Sequence, residues 1–238
     1  MKSALEDRDM EDKKMSKKTT ATKKLTGMEC FTSALTAFGG LGLEMLLGIV
    51  LEPMLYGVEM AEFNTVQHIL HWVITCTIWG IISVWLVHDI KKRCNWDIMK
   101  KGESMKAWQW AVIALGCVLA VWIVSMDWNG LKIVEEFKSR GALLFTFQYI
   151  YYAFETLLFM LIIVFGQKAF ELWFKRTDIP YGGIICGLTW GLAHVFSKGS
   201  VTTGLWGLAL GFLMGVAYLL TNRDIKKTYV VLFIMFVL

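Results

Sequence analysis

Six long apolar runs divide the sequence, with shorter polar segments between them. The runs cover roughly residues 28–51, 66–90, 108–127, 142–174, 182–200 and 203–221. A helix needs about 20 apolar residues to cross a bilayer, so the pattern predicts an all-α, polytopic bundle of about six transmembrane helices. A last apolar run, 229–238, is too short to cross. It is predicted to be a short helix that enters partway or packs against the bundle.

Composition supports this interpretation and sets the N-terminal segment apart. The chain has 238 residues, of which 56% are hydrophobic and 18% charged, whereas soluble domains are about 45–50% apolar and about 25% charged. Residues 1–27 are highly charged and are predicted to be a disordered tail, and 28–238 to be a transmembrane domain. Basic residues lie between the apolar runs rather than on one surface, so membrane lipids, not nucleic acids, are the expected partners.

The distribution of Lys and Arg predicts the orientation in the membrane. Twenty of the 24 basic residues lie in the tail and in segments 91–106, 168–176 and 223–227, while the alternate connections hold the other four. Since membrane proteins keep basic connections on the cytoplasmic side, the N-terminus is expected in the cytoplasm.

Two neighbouring spans carry glycine at every fourth position. The fifth has Gly183, Gly187 and Gly191, and the sixth has Gly207, Gly211 and Gly215. Spacing of four places each trio on one helix face, and glycine lets two backbones approach closely within a membrane. The short link between the spans then predicts a tight antiparallel hairpin. Homodimerisation through either face is the alternative, so the oligomeric state stays open.

Ionisable residues within spans are costly and commonly functional, and two of them give the main prediction. His194 lies one turn from Trp190 on the fifth span, and Glu155 lies mid-span on the fourth. The polar stripe beside Glu155 consists of Gln148, Tyr151 and Tyr152. Both side chains are predicted to face the bundle interior. The structural alternatives are an interhelical hydrogen bond for His194 and a neutral, buried carboxyl group for Glu155.

Two other sets of polar residues give weaker predictions. Gln167 and Glu171 are spaced i, i+4 and lie on a different face of the helix from Glu155. Gln167 is about 18 Å from Glu155 along the helix axis. An ion pair between Glu171 and a nearby lysine on the same helix would give Glu171 a purely structural role. Glu44, His71 and His194 fall at a similar depth of about 7–12 Å. They could form a metal site only if their side chains converge, and the favoured prediction is that the protein binds no metal there.

The C-terminal half resembles a known family. Gly187-Leu-Thr-Trp-Gly-Leu-Ala-His194 follows a helix with a polar cluster and precedes a glycine-rich helix ending Tyr218-Leu-Leu-Thr221-Asn222. Over about residues 145–238 these features resemble the CAAX-protease and bacteriocin-processing (CPBP) family of glutamic intramembrane proteases, the CAAX prenyl endopeptidases. The resemblance implies a bacterial cytoplasmic membrane, a water-activating Glu and His, no cofactor, and a peptide or prenylated-peptide ligand.

The family motifs carry over unevenly. The second, Phe-x-x-x-His, corresponds to Trp190-x-x-x-His194. The first, Glu-Glu-x-x-x-Arg, aligns best with 166–171, where Gly166 and Gln167 replace both acids and Glu171 stands at the Arg position. The last, His-x-x-x-Asn or Asp, has no counterpart, because no histidine follows His194. Gln cannot serve as a general base, so the candidate catalytic residues His194, Glu155, Gln167 and Glu171 would belong to a degenerate or weakly active hydrolase, with Glu155 as a possible substitute base.

Three functions fit the sequence. The favoured one is a CPBP-like pseudoenzyme that binds lipidated or peptide tails in an immunity or regulatory role, or a weakly active endopeptidase. The second is a proton-coupled transporter that uses Glu44, Glu155 and His194. The third is a membrane scaffold without chemistry. Transporters commonly show internal repeats or broken helices; the sequence shows no convincing repeat, and neither proline lies inside a predicted span.

Overall fold

The computed structural model describes residues 23–128 and 130–238, which form an all-α bundle of seven helices without a strand. The predicted fold class is therefore confirmed. Most of the predicted tail lies outside the described residues. The helices are α1, Gly27–Tyr56; α2, Thr65–Cys94; α3, Ala107–Trp128; α4, Lys132–Phe174; α5, built from Tyr181–Cys186, Gly187–Gly191 and Leu192–Lys198; α6, Val201–Leu220; and α7, Ile225–Val237.

Side-chain caps fix where several helices begin. Asn64 and Gln67 form a reciprocal capping box at the start of α2, which satisfies backbone N–H groups that have no partner within the helix. Thr26 and Ser200 accept the corresponding bonds at α1 and α6. Asp224 accepts from the backbone N–H groups of two residues in the first turn of α7.

Five helices of the described residues, α1, α2, α3, α4 and α6, are long and apolar enough to cross a membrane. The fifth predicted span, 182–200, is helical for most of its length as α5 but is not one of them, because glycines, His194 and Lys198 lower its hydropathy. The last apolar run belongs to α7, which is 13 residues long and packs against α3, α4 and α6.

Helix α4 is the centre of the bundle. It is 43 residues long, residues 158–167 are all buried, and α1, α2, α5 and α7 pack around it. The sequence pattern started this span at 142, yet the helix begins at Lys132. At Gly141 the backbone turns with φ of 70° and ψ of 169°, a conformation open mainly to glycine. The stretch before that break brings buried polar side chains into the bundle.

The two glycine trios lie against each other across α5 and α6. A Cβ atom added at Gly183 would lie 2.8 Å from the Gly215 Cα atom, and one added at Gly191 would lie 2.6 Å from the Gly207 carbonyl carbon. Both distances are too short for real carbon contacts, so the backbones themselves form this interface. It is the antiparallel hairpin that the spacing of four predicts.

Helices α1 and α5 each contain one π-helical turn. In α1 the turn covers Leu47–Leu51, and in α5 it covers Gly187–Gly191. The N–H groups of Glu52 and Leu192 donate to carbonyl groups five residues earlier. A π turn accommodates an extra residue and changes which side chains share a face, and such turns are frequent at functional sites. Each of these two turns adjoins a cluster of buried polar groups.

Candidate functional site

Trp190 joins the two ionisable residues that the sequence places inside the spans. Its indole Nε1–H donates to the Glu155 Oε1 atom at 2.8 Å, across the interface between α5 and α4. Trp190 is 4% exposed and Glu155 8%. A buried carboxylate oxygen thus has a fixed donor, which orients Glu155 toward α5 rather than toward lipid.

His194 lies one turn further along α5 and contacts Trp190 as well. Its Nδ1 atom is 2.8 Å from the Trp190 carbonyl oxygen, and the two rings meet edge to face with centroids 4.9 Å apart. A carbonyl oxygen can only accept, so Nδ1 carries the proton and Nε2 keeps its lone pair. The structure therefore brings both Glu155 and His194 into contact with Trp190 and holds the imidazole with a basic nitrogen available.

Aromatic rings close the site on the side of α7. Phe159 and Phe236 pack against Trp190, with ring centroids 4.9 and 5.5 Å away. Helix α7 is the segment that the resemblance aligns with the family's missing last motif. In this chain it supplies the Phe236 ring rather than a polar group.

A buried lysine and a buried glutamate lie next to these rings. The Lys132 Nζ atom donates to the Phe236 carbonyl oxygen at 3.1 Å and lies 4.1 Å from the Tyr152 ring centroid. Glu136 is fully buried and accepts hydrogen bonds from Gln148 and Tyr152. The apolar pattern does not indicate Lys132 and Glu136, because it predicts a connection over 127–141. Their i, i+4 spacing, with Gln148 twelve residues on, was the available signal.

The structure gives Gln167 and Glu171 a different environment. Gln167 donates to the Ile179 carbonyl oxygen at 2.9 Å and accepts from the Gly182 N–H at 2.9 Å. It also donates to Glu171, whose carboxylate forms an ion pair with Arg223 at 2.7 Å. These bonds hold the connection between α4 and α5. They occupy both ends of the Gln167 amide, and Gln167 lies about 18 Å along α4 from Glu155.

Glu44, His71 and His194 do not converge on one point that could hold a metal ion. His71 lies between Glu44 and Glu52, whereas His194 packs on Trp190 in the other cluster. In the described part of the chain, no group of three or more His, Cys, Asp or Glu side chains is arranged to hold a metal ion.

A charged cap anchors the helix that closes the site. Asp224 accepts from the N–H groups of Gly102 and Lys227 at 3.2 Å each. Burial alone would raise the pKa of Asp224, but these donors and the nearby Lys227 ammonium outweigh it, and the pKa lies below its usual range. The start of α7 is thus bound to the segment that precedes α3.

No protein-family model matches the chain, and no curated protein or solved structure matches it either. The arrangement offers a buried carboxyl group, an indole N–H and an imidazole with a free lone pair, all beside an apolar wall. Such groups can hold a proton or a polar group of a bound chain.

Proposed function

We propose that this integral membrane protein binds a lipidated or apolar peptide tail through a divergent CPBP-type site, with weak or no peptidase activity. The observation that carries the proposal is the Glu155–Trp190–His194 cluster inside the bundle. Glu155 and His194 are its central residues. Gln167 and Glu171, which the motif alignment favoured, support the connection between α4 and α5 instead.

The chemistry of the cluster supports binding more than hydrolysis. Hydrolysis of an amide requires a base that activates water and donors that stabilise the oxyanion. Glu155 and His194 could share the first task, but the Trp190 indole N–H is already committed to Glu155. Phe236 and Phe159 surround that tryptophan with apolar surface. A peptide carbonyl or amide could therefore bind near His194 without being cleaved at an appreciable rate.

An apolar groove on the bundle could hold the hydrocarbon chain of a lipidated ligand. It lies between α2 and α4 on the outer surface of the bundle, with a volume of about 400 Å³. Trp72, Cys76, Gly80, Phe147 and Phe154 are among the residues that line it. The Trp72 ring also contacts Tyr151, on the helix that carries Glu155. A hydrocarbon chain in this groove would run beside the helix of the polar cluster.

A binding and cleavage assay tests the proposal. The full chain, purified in detergent, would be titrated with a fluorescent farnesylated peptide and with the same peptide lacking the lipid. We expect the lipidated peptide to bind more tightly, and Glu155→Gln and His194→Ala each to weaken it. Product formation, followed by mass spectrometry, is expected to be slow or absent.

Matched variants separate binding from folding. Glu135→Gln changes a partly exposed glutamate on the same helix, and His88→Ala changes an exposed histidine on another. Both variants are expected to bind as the wild type does. Equal binding of both peptides, or full binding by Glu155→Gln and His194→Ala, would contradict the proposed site. Rapid cleavage that His194→Ala abolishes would show an active protease and refute the degenerate interpretation.

A proton-coupled transporter is the second candidate, favoured by one observation. Besides Glu155 the bundle buries Glu52, His71, Lys132 and Glu136, and intramembrane ionisable residues commonly mark proton pathways. Proton uptake into liposomes that contain the purified protein, measured with a pH-sensitive dye and an imposed membrane potential, tests it. Flux equal to that of protein-free liposomes would exclude this function.

A further inference from the structure

A second polar cluster lies between α1 and α2. His71 is fully buried, and its Nδ1 atom is 2.6 Å from the Glu52 Oε2 atom. Its Nε2 atom faces the Glu44 Oε1 atom at 3.8 Å and has no hydrogen-bond partner. One imidazole ring therefore has a carboxylate at each nitrogen.

The π turn of α1 explains how the two carboxylates reach one ring. Glu44 and Glu52 are eight residues apart, which places them about 80° apart around a regular α-helix. The turn at Leu47–Leu51 lies between them and accommodates one extra residue. The spacing then acts as seven residues, and the two side chains come to within about 20° of the same face.

The backbone on this face is shaped to admit the ring. A Cβ atom added at Gly48, inside the π turn, would lie 3.2 Å from the His71 Cε1 atom and 2.7 Å from the Met60 sulfur. Glycine thus lets the imidazole pack directly on α1. The geometry holds the ring in line between the two acids.

We propose that Glu44, His71 and Glu52 form a binding site for one exchangeable proton, distinct from the Glu155–His194 site. With both carboxylates ionised and the imidazole neutral, two negative charges would lie in the interior against one N–H donor. A proton on Nε2 gives each carboxylate a charged donor and leaves a single net negative charge. The proton comes from water and returns to it, so no other reactant is required.

Burial indicates the route of exchange. The Glu52 side chain is 5% exposed, whereas that of Glu44 is 28% exposed, which makes Glu44 the carboxylate through which a proton reaches the buried ring. The other titratable or charged groups near this cluster are His68 on α2 and, from α4, Arg140 beside His68 and Tyr151 and Glu155 beside Glu44. Proton binding here would bias the packing of α1 against α2, without any role for His194.

Histidine NMR tests the site directly. The full chain, labelled with ¹⁵N-histidine and held in detergent micelles, would be titrated from about pH 4 to about pH 9, with signals assigned through single His substitutions. We expect His71 to bind a second ring proton, and Glu44→Gln and Glu52→Gln each to weaken its proton affinity about tenfold or more, because each removes an adjacent negative charge. His88 serves as an exposed reference.

The two acid variants keep the test decisive. Glu44 is partly exposed, so Glu44→Gln is expected to fold even if Glu52→Gln does not. A His71 signal that stays a single neutral tautomer over the whole range would overturn the proposal. So would an affinity in Glu44→Gln within about twofold of the wild type. His194 is expected to titrate alike in all three proteins, which separates this result from any failure of peptide binding.

Discussion

The π turns of α1 and α5 use the same backbone device for different purposes. In α1 the turn brings two acids to His71, which is wholly buried and has a carboxylate at each nitrogen. In α5 the turn is rich in glycine and packs on α6, and His194 bonds to a backbone carbonyl. His71 thus lies between two carboxyl groups and His194 bonds to a neutral carbonyl, so only His71 is expected to depend strongly on acidic partners.

The neighbours of the two turns differ in the same way. Gly48 of the first turn faces the flexible Met60 side chain and the His71 ring, whereas Gly187 and Gly191 of the second face backbone atoms of α6. A side chain can move to admit a new group, but a packed backbone cannot. The α1 turn should therefore be sensitive to loss of charge, and the α5 turn to added volume.

The largest expected effect is the loss of the imidazole between the two carboxyl groups at α1. His71→Ala removes the partner of Glu52 and leaves a buried carboxylate unpaired, a change that costs about 3–5 kcal/mol. His194→Ala removes only the imidazole donor to one backbone carbonyl, and should lower the free energy of unfolding by about 1 kcal/mol. Unfolding of both variants in mixed detergent micelles measures the difference. Equal losses would show that the two histidines are held alike.

Added volume at the α5 turn comes next. Gly187→Leu places a side chain where a Cβ atom alone would lie 2.7 Å from the Leu208 carbonyl oxygen. We expect a loss of about 1–3 kcal/mol or more, because α5 and α6 must separate. Gly39→Leu is the matched control, since an added Cβ there meets nothing within 4 Å. Similar thermal stability of the two variants in detergent would contradict backbone-to-backbone packing.

Sequence patterns predict the regular features of this protein well. Apolar runs of span length locate the long helices, and glycine at intervals of four indicates which faces approach each other, because both patterns repeat along a regular helix. The polar stripe of α4 likewise puts Glu155 inside the bundle. The same reasoning leaves His194 and Trp190 adjacent on α5, as the structure has them.

Irregular backbone hides the rest. The π turn at Leu47–Leu51 has no distinct sequence signal, so Glu52 falls one residue beyond the predicted span and is missed as a partner of His71. At Gly141 the backbone leaves helical geometry between two helical stretches of α4. The apolar pattern does not reveal the first stretch, so it predicts that Lys132 and Glu136 lie in a connection. The bonds of Gln167 escape prediction for another reason: a motif alignment orders residues along the chain, whereas the bonds to Ile179 and Gly182 depend on how the chain returns after α4.

The indole–carboxylate bond of the α5 cluster gives an intermediate effect. Trp190→Phe keeps an aromatic ring but removes the donor to Glu155, and an unsatisfied buried acceptor costs about 1–3 kcal/mol. Glu155→Gln should restore part of that loss in the double variant, since a neutral amide tolerates burial better than a carboxylate. A double-variant cycle on the free energy of unfolding measures this coupling. Strictly additive losses would mean that the bond contributes nothing.

The smallest expected effect is an acid-dependent loosening of α7, which reaches the α5 cluster and not the α1 cluster. The pKa of Asp224 is lowered, because the N–H groups of Lys227 and Gly102 and the Lys227 ammonium outweigh its burial. A lowered folded-state pKa stabilises the protein above the ordinary carboxyl pKa, and this contribution is lost as pH falls through the folded value. The thermal stability of the wild type should therefore exceed that of Asp224→Asn at neutral pH. The gap should narrow below about pH 4, the range of an ordinary Asp. A gap that stays constant on acidification would show that the charge of Asp224 does not hold α7, and Phe236 would then be kept beside Trp190 by packing alone.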